Sequence, residues 1–533
     1  MPPAVGGGHP TPIRTIRRRE DTHVQRRLIG AVLTSLTLVA ACGGGDDSAG
    51  GGEEAADVPS PFTPAPPAGA ENIPVEPASY NYSPAVMDEG NVVKAWWCSA
   101  RPEAATDNIW YQEYDKTTKQ YTNRRSVLQT GRPGTSDWDS FGVCHPTVIK
   151  GQWPGPNGQT YTYAMYYTST NEATGGGSNN STGVVFSTDG INWDGQHDRH
   201  NPMIRQKVRN VPGTYGAGLP AAWSRGGAAV TLLWIDTTWD RRADPANPYA
   251  SRAVVAESND GIRFSPARTI SQQGAPAYWK NDFAFDDSVQ PAMVYSAQAL
   301  EFRAGTGPKD KNETYNFGLY RMPMAEMLAG GGTWEHLGTV DTNLTGLPLN
   351  FEPGLVRSPE GKVAGDVMRD GLRVWFGGGG QTPDTWQLRA LTLDLDNKRM
   401  PLLQYQAGGS YWATTGFVPQ SIRDGDDDPE VLGLLDVALG EGRVPLYACQ
   451  RGPLTIGADG TLTGAGADRF VSLQQCEGTN RLGVNGYLYA QPPAGVETKP
   501  LFACKDGNAQ FLSLDEGCDG KTVEAPLGHI AAG

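Results

Sequence analysis

Short apolar strands followed by the same polar turn recur along the first half of the chain. The segments 183–193 and 253–264 both read as an apolar run followed by Ser-x-Asp-Gly-x-x-aromatic. In this pattern the glycine takes positive φ in the turn, and the Ser and Asp side chains bond nearby backbone amides. Two copies indicate a repeated module. They also give Asp189 and Asp260 a turn-forming role instead of a catalytic one.

Two further strands are predicted ahead of each hairpin. The segments 145–149 and 218–223 are short and contain proline, and they lead to longer aromatic-rich strands at 161–167 and 230–235. Three further copies follow the same plan: 92–114, 287–295 and 351–376. Small antiparallel sheets that repeat in this way protect their edges when they are arranged radially. The sequence therefore predicts an all-β chain in which residues 82–400 form a five-bladed β-propeller.

A second repeat occupies the C-terminal part of the chain. The segments 445–483 and 500–528 both begin Pro-Leu-aromatic-Ala-Cys, continue through Phe-x-Ser-Leu to a second cysteine, and end at Leu-Gly. We predict a small two-copy β repeat domain over 444–533, joined to the propeller by a connecting segment over 401–443. Two interpretations stay open: an accessory module that binds a wall or polysaccharide, and a disulfide-stapled structural cap.

The N-terminus has the layout of an export signal. Five arginines between residues 17 and 27 precede an apolar run, 28–41, which is too short to span a membrane and ends in small residues before Cys42. This resembles a bacterial lipoprotein signal, so we expect residues 1–41 to be removed and Cys42 to carry lipid. The alternative is an ordinary secretory signal. Residues 42–81 are rich in Gly, Pro and acidic side chains, which predicts a disordered tether. The protein would then be exported and anchored in the bacterial cell envelope by lipid alone.

Export into an oxidising compartment would allow the cysteines to pair as disulfides. Seven are present, and without Cys42 six remain to form disulfides. We expect Cys98–Cys144 in the propeller and Cys449–Cys476 and Cys504–Cys518 within the two repeats, although cross-pairing of the repeats is an alternative. A zinc site is disfavoured because no Cys-x-x-Cys spacing occurs.

The charge and the missing motifs exclude several functions. The formal net charge is -14, and because the first 41 residues contribute +4, the chain from Cys42 onward carries -18. This disfavours nucleic acid and anionic membrane surfaces as partners. The motifs of serine hydrolases, zinc proteases and phosphate loops do not occur. We therefore expect no cofactor and no metal site, and the sequence predicts nothing about the oligomeric state.

The modules resemble the five-bladed propellers of the arabinanase, levansucrase and invertase group of glycoside hydrolases. The motifs that carry this resemblance are the proline-containing inner strand before an aromatic strand and the Ser-x-Asp-Gly-x-x-Trp hairpin, over about residues 90–400. The resemblance implies carboxylates that project from inner strands of different blades into an axial funnel. Glycosidic cleavage needs one group to protonate the leaving oxygen and another to assist attack at the anomeric carbon.

The resemblance also selects candidate site residues. Where the family commonly has Asp-Pro-x-Val, this chain has His145 before proline, and this histidine would be a sugar-binding or acid/base residue, or a structural one. Asp287 and Glu352 are the best candidates for catalytic carboxylates because they stand at predicted blade starts, and Asp139 and Asp107 come next. Two functions remain: a surface-anchored glycoside hydrolase-like propeller acting on a carbohydrate, and a non-catalytic propeller that binds a glycan or a protein partner.

Overall fold

The protein is built from β-strands with few helical turns. The computed structural model describes residues 70–75, 80–100, 106–130, 138–170, 179–193, 195–196, 202–207, 215–237, 251–275, 281–299, 316–379, 386–395, 399–407, 409–416, 418, 429–437, 440–456, 462–463, 468–476 and 478–532. Within these ranges the helical elements are three short α-helices and two 3-10 turns: Met324–Leu328, Thr342–Thr345, Val367–Asp370, Pro156–Gly158 and Cys518–Gly520.

Five four-stranded antiparallel sheets, the blades, follow one another along the chain. Their strands are β1 (Glu71–Ile73), which belongs to blade 5; β2 (Tyr80–Asp88), β3 (Val92–Ala100), β4 (Asn108–Asp115) and β5 (Gln120–Leu128) in blade 1; β6 (Gly142–Pro154), β7 (Thr160–Thr170), β8 (Ser181–Ser187) and β9 (Gly195–Gln196) in blade 2; β10 (Ala217–Gly226), β11 (Ala229–Thr237), β12 (Ser251–Ser258) and β13 (Arg268–Thr269) in blade 3; β14 (Asn281–Asp286), β15 (Met293–Ala299), β16 (Phe317–Pro323) and β17 (Glu335–Val340) in blade 4; and β18 (Leu349–Arg357), β19 (Leu372–Gly379) and β20 (Gln387–Leu393) in blade 5.

The innermost strands of the blades close a ring. Each of β2, β6, β10, β14 and β18 contacts the next, and β18 returns to β2. At this return the two strands pair in parallel, with Val356 opposite Val86. One apolar cluster fills each gap between neighbouring blades; Trp96 and Met165 lie between blades 1 and 2, and Phe283 and Val294 between blades 3 and 4. The fold is therefore a five-bladed β-propeller, and the predicted fold class is confirmed.

The last blade takes its outer strand from the N-terminal end of the described chain. β1 pairs antiparallel with β20, and Ile73 lies opposite Leu388. The side chain of Ile73 is fully buried, in the cluster between blades 5 and 1. The predicted tether, 42–81, is thus wrong at its C-terminal end, because burial of one isoleucine and three residues of strand pairing order the segment 71–73.

The two hairpins that revealed the repeat have the predicted turn chemistry. The Asp189 carboxylate accepts the backbone N–H groups of Ile191 and Asn192, each at 2.8 Å. The Asp260 carboxylate accepts the equivalent N–H groups of Ile262 and Arg263. Burial would raise the pKa of Asp189, but these hydrogen bonds outweigh it and lower the pKa to about 2. Both aspartates are therefore structural, as predicted.

The C-terminal region has three similar units instead of the two that the sequence revealed. Its strands are β21 (Arg399–Ala407), β22 (Ser410–Thr414), β23 (Glu430–Asp436), β24 (Arg443–Arg451), β25 (Thr455–Ile456), β26 (Leu462–Thr463), β27 (Asp468–Ser472), β28 (Asn480–Tyr489), β29 (Thr498–Asp506), β30 (Ala509–Ser513) and β31 (Thr522–Ala531). In each unit the first strand pairs with the other two: β21 with β22 and β23, β24 with β27 and β28, and β29 with β30 and β31.

The three units enclose a common centre. Their second strands β22, β27 and β30 contact one another, as do their third strands β23, β28 and β31. The segment 401–443, predicted as a connection, is corrected by this arrangement, because it supplies the strands of the first unit. That unit has Tyr405 where the other two have Cys449 and Cys504, so its likeness to them is hidden in the sequence.

All three expected disulfides are confirmed. Cys98–Cys144 has a Cα–Cα distance of 5.1 Å and joins β3 of blade 1 to β6 of blade 2. Cys449–Cys476 and Cys504–Cys518 lie within the second and third C-terminal units, with Cα–Cα distances of 5.6 and 5.7 Å. The predicted signal sequence and Cys42 lie outside the described residues. In the part of the chain that is described, no helix is long and apolar enough to cross a membrane.

We expect closure of the ring to depend on Ile73. Replacing Ile73 with Ala should lower the free energy of unfolding by about 2–4 kcal/mol, because it removes buried apolar contacts and leaves a cavity. Its neighbour Asn72 is exposed, so Asn72→Ala should change stability by less than about 0.5 kcal/mol. Urea denaturation of the two variants would measure the difference, and equal stabilities would contradict a closing role for β1.

Candidate active site

Four of the five innermost strands carry the same irregularity near their first residues. The pairing to the next strand shifts at Ser83-Pro84, His145-Pro146, Leu219-Pro220 and Glu352-Pro353. The residue before each proline has positive φ, between 45° and 53°. Proline has no N–H to donate to the ladder and a bulge turns the preceding side chain out of the strand's alternation. Each bulge therefore re-aims one side chain at the same end of the ring.

The structure brings two of these four side chains together. His145 of blade 2 and Glu352 of blade 5 meet with 3.2 Å between Nε2 and Oε2, and both are buried, with side-chain exposures of 10% and 2%. The other imidazole nitrogen, Nδ1, lies 3.4 Å from the hydroxyl of Tyr215. The imidazole thus stands between a carboxylate and a phenol, which is an arrangement that can take up and pass on a proton.

Blade 1 and the disulfide hold His145 in place. The Tyr82 ring meets the imidazole edge-on with 6.2 Å between centroids, and its hydroxyl donates to Asp107 at 2.9 Å. The backbone N–H of His145 donates to the sulfur of Cys98 at 2.9 Å. The disulfide Cys98–Cys144 is therefore part of the support of the site as well as a link between blades.

The two carboxylates that the sequence ranked second lie near this end of blades 1 and 2. Asp107 accepts the Tyr82 hydroxyl, as described, and so contacts a residue that touches His145. Asp139 is fully buried and accepts the Tyr167 hydroxyl at 3.0 Å, within the packing of blade 2. Each carboxylate thus holds a tyrosine side chain, Asp107 next to the site and Asp139 within blade 2.

Asp287 is not brought to His145 and Glu352. It follows the last residue of β14, at the opposite end of that strand from the bulges, and it is exposed and paired with Lys362 at 2.7 Å. The sequence placed the start of blade 4 at Asp287, but the inner strand begins at Asn281. Blade 4 has no proline and no register shift in this strand, so the signal that marked the other blades was missing there.

The blade 4 residue equivalent to Glu352 is Asp282, which sequence analysis missed. Its carboxylate accepts the backbone N–H of Leu355 at 2.8 Å and lies 3.4 Å from the guanidinium of Arg357. Burial raises the pKa of Asp282, while Arg357 and the N–H groups oppose the rise. Asp282 therefore ties blade 4 to blade 5 and is occupied by a permanent cation.

Metal ligands are not grouped at this site. Across the described ranges, no three or more His, Cys, Asp or Glu side chains are placed to hold a metal ion. The Glu352–His145 pair, with the hydroxyl groups of Tyr215 and Tyr82 nearby, groups hydrogen-bond donors and acceptors at this end of the ring.

Comparisons with known proteins give similarity in structure alone. No protein-family model and no curated protein matches the chain. Among solved structures, a thermostable family-43 glycoside hydrolase has 10% identity and a TM-score of 0.38, covering 67% of this chain and 99% of its own. The catalytic domain of a Coprinopsis cinerea GH62 α-L-arabinofuranosidase has 12% identity and a TM-score of 0.38, with coverages of 63% and 96%. An endo-arabinase from Bacteroides thetaiotaomicron has 12% identity and a TM-score of 0.34, with coverages of 59% and 94%.

These TM-scores are low, so the propeller assignment rests on the strand pairing and the closed ring of inner strands. The chemistry likewise rests on the side chains of this site.

We expect removal of the propeller disulfide to destabilise the protein and disturb the site. In the loop-entropy model, Cys98→Ala with Cys144→Ala costs about 4 kcal/mol and Cys504→Ala with Cys518→Ala about 3 kcal/mol. Of these two disulfides, Cys98–Cys144 is the one that contacts His145, so its loss alone should also weaken the binding of a ligand at the site. Denaturation curves and binding measured on both variants make the test, and equal effects of the two on binding would contradict the supporting role.

Proposed function

We propose that the protein is a carbohydrate-acting propeller, exported and anchored by lipid on Cys42, with Glu352 as its proton-transferring carboxyl group. The contact between Glu352 and His145 carries this proposal. Blades 2 and 5 are not neighbours in the ring, so their side chains meet only because both bulges aim at the axis. The carbohydrate class follows from the resemblance of the strand and hairpin motifs to glycoside hydrolase propellers.

The two side chains have complementary roles in cleavage of a glycosidic bond. In its protonated form Glu352 would donate a proton to the leaving oxygen as the bond to the anomeric carbon breaks. The water that then attacks that carbon would give its proton back to Glu352, while His145, whose Nε2 lies 3.2 Å from Oε2, would position that carboxyl group by a hydrogen bond. Glycosidases ordinarily use two carboxyl groups for these roles. Here Glu352 and His145 are in direct contact, closer than the separation of about 5 Å or more at which two such groups flank the sugar ring, and Asp282 is bound to Arg357, so Glu352 would serve as both acid and base.

A second candidate function is glycan binding without chemistry. The pairing of Asp282 with Arg357 favours it, because Glu352 is then the one axial carboxylate in contact with a titratable side chain, His145. The same aromatic side chains, Tyr82 and Tyr215, would then serve recognition only. The two candidates differ in whether Glu352 exchanges a proton with the bound sugar.

The test is a panel of aryl glycosides and plant and microbial polysaccharides. Replacing Glu352 with Gln should lower turnover by at least about 100-fold and leave binding largely intact, because it removes the proton but keeps the shape. Asp287→Asn is the matched control, and since Asp287 is exposed and far from the bulges it should keep the parent's rate. Turnover unchanged in Glu352→Gln would refute the catalytic assignment. Binding without turnover in the parent would establish the second candidate.

The anchoring is tested separately. The mature protein should partition with membranes through a lipid on Cys42. In the predicted layout the signal is cleaved before Cys42, so the lipid on this cysteine is the attachment that remains. Cys42→Ser should block processing or release the protein. Membrane fractionation, with metabolic labelling by a fatty acid, measures this. A variant that fractionates with lipid as the parent does would show that Cys42 is not the anchor.

A further inference from the structure

One face of blade 4 carries buried polar groups that lack hydrogen-bond partners. Within the described part of the chain, both amide atoms of Asn281, Oε1 of Gln298, Oδ1 of Asn316 and the hydroxyl of Tyr320 are buried and make no hydrogen bond. Gln298 and Tyr320 are fully buried and Asn281 is 6% exposed. A buried polar group without a partner costs about 1–3 kcal/mol, so several in one place need an explanation.

The four side chains lie on the same side of the sheet. Along β14, Asn281 shares its face with Phe283, which packs in the apolar cluster between blades 3 and 4. Across the sheet, Asn281 is opposite Gln298, and Gln298 is opposite Gly318. Tyr320 belongs to the same cluster, and a Cβ atom on Gly318 would lie 2.7 Å from its hydroxyl oxygen. The polar groups therefore line the gap between blades 3 and 4, directly above its apolar filling.

The apolar cluster of this gap reaches the candidate active site through Tyr215. Tyr215 belongs to the same apolar cluster between blades 3 and 4, while its hydroxyl lies 3.4 Å from Nδ1 of His145. On the other side, Asn281 precedes Asp282, whose carboxylate bonds the backbone three residues after Glu352. The amide groups and the Glu352–His145 pair thus lie at the same end of the ring, joined through Tyr215.

We propose that Asn281, Gln298, Asn316 and Tyr320 form a subsite for a neutral sugar residue that adjoins the Glu352–His145 pair. The free groups include one amide donor, three amide acceptors and a phenol that can do both, which matches sugar hydroxyls. None of them is charged, so the subsite selects hydroxyl groups over phosphate, sulfate or carboxylate. The proposal rests on the carbohydrate function proposed above and extends it to a substrate of at least two residues.

The variants Asn281→Leu and Gln298→Met test the subsite in the full chain. Asn281→Leu removes an amide that makes no hydrogen bond, whereas Gln298→Met removes the unpaired Oε1 together with the 3.1 Å hydrogen bond that Nε2 donates to Ser296. Both keep a similar volume, so the free Asn281→Leu protein should unfold at the same or a higher temperature. Affinity for the neutral oligosaccharide that the parent binds, chosen from arabino-, xylo-, manno- and gluco-tetraoses, should fall at least tenfold. An increase in stability combined with a loss of affinity is a signature that a purely structural amide would not give.

Asn343→Leu is the matched control. The Asn343 amide is satisfied, since it accepts the Thr414 hydroxyl at 2.6 Å and donates to Asn485 at 3.1 Å. Its replacement should lower the unfolding temperature and leave affinity unchanged in the folded protein. Calorimetric binding and thermal unfolding of all three variants provide the comparison.

The outcomes separate this proposal from the function on which it rests. Parental affinity in Asn281→Leu and Gln298→Met would overturn the subsite, even if Glu352→Gln abolishes turnover. Loss of stability without loss of affinity in these variants would also overturn it. Loss of affinity, with turnover unaffected by Glu352→Gln, would support the subsite and refute the catalytic assignment. A crystal structure with the bound tetraose that shows only ordered water at the four groups would overturn the subsite.

Discussion

The Xaa-Pro bulge of the inner strands is the constraint on which the site depends. A non-glycine residue with positive φ is disfavoured, yet four blades repeat it at the same place. Ser83 and Leu219 share this backbone with His145 and Glu352 and have no ionisable group. The bulge is therefore a property of the blade. The residue before the proline decides whether the blade contributes an ionisable side chain to the site. Contact between non-adjacent blades 2 and 5 follows from this backbone geometry.

Two buried carboxylates near the axis differ in the side chain that they contact. A buried carboxylate needs a partner, and breaking such a pair is costly. Asp282 has Arg357 at 3.4 Å and the backbone N–H of Leu355 at 2.8 Å, so these contacts link blades 4 and 5. Glu352 has His145, with 3.2 Å between Oε2 and Nε2. Tyr215, which contacts the imidazole, places this pair beside the gap between blades 3 and 4.

Features set by a few local residues could be predicted from the sequence, whereas features set by distant pairing could not. The hairpins at Asp189 and Asp260 are local, and proline marked His145 and Glu352 at blade starts. Blade 4 has no proline, so nothing local identified Asn281 as its first residue, and Asp287 was chosen in place of Asp282. β1 is ordered only by pairing with β20, far along the chain. The first C-terminal unit lacks the two cysteines that made the other two units visible as a repeat.

Blade 4 departs from the plan of the other blades, and its departures occur together. Its inner strand has no bulge, its axial carboxylate is bound to an arginine, and its face toward blade 3 holds polar groups without partners. Selection for stability alone would replace Asn281 with an apolar residue, because the cluster beneath it is already apolar. Sequences that break local packing rules generally do so at functional sites. The proposed subsite accounts for these departures together, because a bound sugar would supply the missing hydrogen bonds at blade 4, beside the Glu352 that the regular blades hold.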